Sequence, residues 1–137
     1  MRTVKHGEDR YLLVKSADGS SLVRDPETGT ERYLPNEELT ATGESPLVVA
    51  ASAVPEPQRR LLTAVRSERD LGLLLELEAR GPLSARELLG RYDLCESDLH
   101  GLLAELRVGG FVREADVGGE RGYETTELAA DALAALR

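Results

Sequence analysis

The chain is poor in several things, and each shortage closes off a class of protein. One of its 137 residues is cysteine, Cys95, so no internal disulfide can form. Tryptophan is missing, phenylalanine occurs once, and aromatics make up 4% of residues, so a core must be built from Leu, Val and Ala. Lysine occurs only at Lys5 and Lys15. No apolar run approaches the roughly 20 residues of a membrane-spanning helix. The first seven residues contain no apolar stretch of the secretory-leader kind. These features predict a soluble cytoplasmic protein that does not engage a membrane. His6 and His100 lie far apart, and with a single cysteine they offer no metal-ligand spacing. GxxxxGK[ST], GxSxG and HExxH patterns are all missing. No metal, no cofactor and no enzymatic activity is therefore expected.

What is present is an acidic chain with enough apolar residues to fold. Hydrophobic residues make up 41%, which excludes a disordered composition. The length suits one ordinary domain, or a small module beside a larger one. Net charge is −8, and it is evenly spread. Residues 1–57 carry 6 basic and 10 acidic groups, and residues 58–137 carry 11 and 15. Neither part is a basic nucleic-acid tail.

The first third predicts strands. Tyr11–Val14, Ser21–Arg24 and Glu31–Leu34 are β-rich runs separated by Ala17-Asp18-Gly19 and Asp25-Pro26-Glu27-Thr28-Gly29, both turn sequences. This is a three-strand meander, or four strands if Thr3-Val4-Lys5 joins, and it needs a cover on its apolar face. Asn36 is expected to cap a short turn holding Glu37 and Glu38. Ser45-Pro46 is an N-cap followed by Pro at the first helical position. The helix it opens should run through Ala53 and cover the sheet with Leu47, Val48 and Val49. The expected organisation is a β-meander module over 1–45, a helical connector over 46–67 and a third segment over 68–137.

Residues 58–80 predict two helices, or one with a bend. Gln58, Leu61, Leu62 and Val65 form one stripe, and Leu71, Leu74 and Leu75 another. Ser84–Glu87 is a capping box opening a short helix whose buried stripe is Ala85, Leu88, Leu89 and Tyr92. Next comes a helix over 96–108, with leucines at 99, 102, 103 and 106 on one face, stopped by Gly109-Gly110. Phe111–Arg113 and Tyr123–Thr125 should pair across a turn containing Gly118-Gly119. An Ala-rich helix over 128–136 closes the chain. The fold class expected is α+β.

The spacing of Ser97, Leu99, Leu102, Leu103 and Leu106, followed by Gly110-Phe111-Val112, resembles the winged helix-turn-helix transcription-regulator superfamily over residues 68–136. The whole chain also resembles small winged-helix proteins of salt-loving archaea, and its acidic, Lys-poor, Ala- and Arg-rich composition resembles proteins of salt-adapted microbes. The first resemblance implies that 96–108 is a recognition helix and 111–125 a wing. It implies double-stranded DNA as a partner, and a C-terminal helix that supplies a homodimer contact. The N-terminal module would then serve dimerisation, a protein partner or ligand sensing.

With the leucines turned inward, the 96–108 helix presents Ser97, His100, Gly101, Ala104 and Arg107. In a DNA reader these enter the major groove, where polar groups meet base edges and small residues permit close approach. Arg86, Arg91, Arg107 and Arg113 are candidate phosphate contacts, and Arg121 near the hairpin tip is a candidate minor-groove or backbone contact. Against this stand Glu96, Asp98 and Glu105, which leave the helix with a net charge of about −2. Glu96 and Asp98 also complement the helix dipole, at about 0.3–1 kcal/mol each. The second reading is therefore an interaction adaptor whose winged helix binds protein. The arginines decide between them: convergence around Ser97 and His100 favours DNA, and scatter among acids favours the adaptor. Cys95, at a helix N-terminus where a thiol pKa can be lowered, is either a redox thiol or a small turn residue.

Overall fold

Short β-rich runs between turn residues become, in the computed structural model, a five-stranded antiparallel sheet; residues 1–136 are described. Its strands are β1 (Arg2–His6), β2 (Asp9–Lys15), β3 (Ser20–Arg24), β4 (Glu31–Pro35) and β5 (Leu39–Ala41), in the order β4-β3-β2-β1-β5. The expected meander is there, and two further strands extend it. Thr3-Val4-Lys5 joins as part of β1, and β5 returns to pair Val4 with Ala41 and His6 with Leu39. A three-residue strand paired so far along the chain leaves no periodic signal in the sequence.

Period-2 alternation puts Val4, Tyr11, Val23 and Leu34 into one buried cluster. Asn36 does not cap the 3₁₀ turn Asn36–Glu38. Its Oδ1 accepts from Ser21 Oγ at 2.6 Å and its Nδ2 donates to the Ala17 carbonyl at 2.7 Å, tying the β2–β3 turn to the end of β4. Helix α1 (Pro46–Ala51) packs on β1 and β2 but covers less than expected. Val49 is fully buried, whereas Leu47 and Val48 are exposed. Six residues make fewer than two turns, so only a narrow stripe of α1 faces the sheet. The helix ends at Ala51 rather than Ala53, and the Ser45 side chain makes no capping bond.

The chain divides into two compact units, Met1–Glu56 and Pro57–Arg137. The expected connector 46–67 thus falls on both sides of the division, and Arg137 lies outside the described residues. The second unit holds α2 (Glu56–Ala64), α3 (Glu68–Arg80), β6 (Leu83–Ser84), α4 (Ala85–Arg91), α5 (Glu96–Val108), β7 (Val112–Val117), β8 (Glu120–Thr125) and α6 (Glu127–Ala134). Strands β6, β8 and β7 form a second antiparallel sheet in that order. The protein is therefore α+β, with an N-terminal meander and a helical unit carrying a hairpin.

The core of this second unit is aliphatic with one ring at its centre. Leu74, Leu77, Leu88, Leu106 and Phe111 are the largest fully buried apolar side chains. Around them Leu61, Leu99, Leu103, Tyr123, Ala132 and Leu133 complete the cluster. In α2 the stripe is narrower than expected, because Leu61 is buried and Leu62 is exposed. Half of the expected capping box forms: Ser84 Oγ accepts from the Glu87 amide at 3.1 Å, but the Glu87 carboxylate takes the Ser84 hydroxyl proton, at 3.3 Å, in place of the Ser84 amide. Ser67 caps α3 by accepting from the Asp70 amide. Thr126 caps α6 and also donates to the Gly110 carbonyl at 2.6 Å.

Candidate nucleic-acid interface

Helix α5 is oriented by its leucines and released by its glycines. Leu99, Leu103 and Leu106 are buried, and Leu102 is half-buried. At the C-terminus Gly110 takes φ +84, which glycine alone adopts without strain. The Phe111 amide then donates to the Leu106 carbonyl and the Gly110 amide to the Arg107 carbonyl, the paired bonds of a Schellman stop. The chain thus leaves α5 abruptly, Phe111 drops into the core, and Val112 starts the hairpin.

The hairpin is longer than its sequence suggests, running from Val112 to Thr125 with Val117 opposite Glu120. Gly118 and Gly119 both have positive φ, as a two-residue type I′ turn requires, and Asp116 Oδ1 accepts from the Gly119 amide at 2.7 Å. Gly122 lets β6 approach: a Cβ there would lie 2.6 Å from the Leu83 carbonyl oxygen. Strand β6 thereby fixes the base of the hairpin beside the N-terminus of α4.

The residues expected on the outward face of α5 are all exposed: Ser97, His100, Gly101, Ala104 and Arg107. The expected arginines do not behave alike. Arg86 is paired with Glu120 at 3.1 Å, Arg91 with Glu87 at 3.3 Å, Arg107 with Glu114 at 3.2 Å and Arg113 with Glu124 at 3.0 Å. These four are neutralised where they stand. Arg121 has no carboxylate partner among the described residues. It lines a cavity of about 110 Å³ together with His100 and Glu96, over an apolar floor that includes Leu99 and Tyr123. Of the five arginines, Arg121 is the one that the fold brings to His100.

Two other arginines bear on α5 and went unremarked in the sequence. Arg60 and Arg66, with Thr63, line a cleft of about 470 Å³ against Ala104, Glu105 and Val108 of α5. Arg60 donates to the Gly109 carbonyl at 3.0 Å, and Arg66 pairs with no carboxylate among the described residues. Their signal in the sequence was only a pair of cations flanking a helix that read as connector.

The remaining candidates are quieter. Cys95 is exposed at the N-cap of α5, with Sγ 3.3 Å from Ser97 Oγ. His6 lies 3.3 Å from Glu38, apart from any ligand cluster. Among the described residues no group of three or more His, Cys, Asp or Glu is placed to hold a metal. No described helix is long and apolar enough to cross a membrane. Helix α6 buries Ala129, Ala132 and Leu133 on its own unit and ends at Ala134, short of the expected 136, with Leu136 exposed beyond it. Tyr92, half-buried beside α3, has its phenol pKa pushed up from 10.0, first by burial and then by the Glu76 carboxylate it hydrogen-bonds.

The family model described as "Family of unknown function (DUF7346)" matches residues 1–137. The chain belongs to this family. No curated protein and no solved structure matches it. The functional reading therefore rests on the site itself.

Proposed function

We propose that residues 57–137 act as a winged helix-turn-helix and that the protein is a DNA-binding transcription regulator. One observation carries this: the exposed, small and polar face of α5 meets Arg121 of the hairpin, which has no carboxylate partner among the described residues, at His100. Ser97 and His100 would read base edges. Gly101 and Ala104 keep that face shallow enough for close approach, Ala104 offering contact to a thymine methyl. Arg121 would contact backbone or minor groove beside the helix. The paired arginines 86, 91, 107 and 113 stay within reach of phosphate at small cost, because a surface ion pair is worth about 0–1 kcal/mol. Binding of this kind leans on shape and few charges, which suits an acidic chain.

The same ion pairs favour a second reading, an adaptor whose winged helix binds protein. Each pair cancels a cation that a phosphate backbone would use, and Asp98 pairs with Arg69 at 3.6 Å, while Glu96 and Glu105 have no ion pair among the described residues. Selection from a pool of random duplexes separates the two. The DNA reading expects enrichment of a defined site, and His100→Ala should relax its base preference while Arg121→Ala weakens binding to every sequence. A pool that emerges unenriched from repeated rounds would leave the adaptor reading standing.

A further inference from the structure

We infer that Arg60 and Arg66 form a second phosphate-contact site, so that α5 is flanked at both ends by cations for one duplex. The inference rests on the DNA reading above and deepens it. Its starting point is how the cations of this unit are used. Arg69, Arg80, Arg86, Arg91, Arg107 and Arg113 are each held by a carboxylate. Among the described residues, Arg121 is not, and neither are Arg60 and Arg66. Arg121 lies at the first turns of α5, with Glu96 and His100. Arg60 and Arg66 lie at its last turns, with Ala104 and Val108.

The uncommitted guanidinium groups therefore bracket the exposed face of α5. From His100 to Val108 the helix rises about 12 Å, at 1.5 Å per residue. The major groove of B-DNA is about 12 Å wide, and its two walls are rows of phosphate. A helix laid across such a groove meets one wall near each end. The cleft chemistry fits a phosphate diester: two guanidinium forks stand against the single carboxylate of Glu105, while the Thr63 hydroxyl is spent on the Arg60 carbonyl at 3.0 Å. Arg60 spends one bond on a neutral carbonyl and keeps its remaining donors. Arg66 is placed by its own backbone, whose amide donates to the buried Asp70 carboxylate at 3.0 Å.

The test is a salt series with the full chain and a labelled random-sequence duplex, read by fluorescence anisotropy. Each phosphate contact adds about 0.9 to the magnitude of the slope of log affinity against log salt. Arg66→Ala should lower that magnitude by about 0.9, and Arg66→Glu by at least as much with weaker binding at every salt. Arg80→Ala, remote from the cleft lining, is the control expected to match the parent. Arg66 is exposed and its side chain makes no packing bond, so thermal melts of these variants should match the parent too. If Arg66→Ala and Arg66→Glu keep the parental slope while Arg121→Ala lowers it, the second site is overturned and the DNA reading stands. If the parent chain itself leaves the duplex free at low salt, both fall.

Discussion

Individual side chains hold the second unit in shape, and their effects separate cleanly. Ser84 caps α4, and its hydroxyl is fully buried, so Ser84→Ala should cost about 0.5–2 kcal/mol, visible as a lower denaturant midpoint at unchanged slope. Gly122→Ala should be worse, because the new methyl would press on the Val117 side chain and on the Leu83 carbonyl, which cannot move without opening the sheet. A loss of about 1–3 kcal/mol is expected, against near-neutral effects on the exposed α5 face. Tyr92 makes a pH prediction. Its folded pKa is raised above 10.0, so the neutral phenol contributes stability that is complete below pH 10 and lost as pH rises through the folded value. Melting across alkaline pH should show this loss in the parent and a smaller one in Tyr92→Phe.

Among the elements, those built from local signals were legible in the sequence and those built from distant pairing were not. The leucine spacing of α5, the Ser84 N-cap and the Gly109-Gly110 stop each state a local geometry, and each is found. Strand β5 is three residues long and pairs with β1, so nothing near it in sequence announces it. Leu47, Val48 and Leu62 are apolar yet exposed, because adjacent apolar residues in a helix point about 100° apart and composition alone does not say which of them faces the core. Arg91 with Glu87 is a local i,i+4 pair on α4 that the sequence spacing allows, whereas the other three pairings join residues that only the fold brings together. Arg113 and Glu124 are direct cross-strand partners, which follows only once the hairpin register is known. Arg107 with Glu114 and Arg86 with Glu120 each join separate elements. The hairpin turn offers an element-scale check. Gly118→Asn should be accepted, since asparagine tolerates positive φ, whereas Gly119→Val should distort the tip and leave the core melt nearly unchanged. Amide spectra confined to 115–122 would display that pattern; core-wide shifts would contradict it.

At the scale of the whole molecule, the charge balance sets how any nucleic acid must be held. The net charge of −8 is shared evenly, so long-range attraction to a phosphate backbone is absent, and affinity must come from contacts at α5 and the hairpin. The few uncommitted arginines, and the small exposed face between them, are what the fold offers for this. The most direct measurement is genome-wide occupancy of the tagged protein beside its His100→Ala and Arg121→Ala variants at matched expression. Discrete peaks sharing a motif, lost or redistributed in both variants, are the predicted result. Peaks indifferent to both substitutions, or occupancy without discrete peaks, would contradict direct DNA binding through α5 and the hairpin.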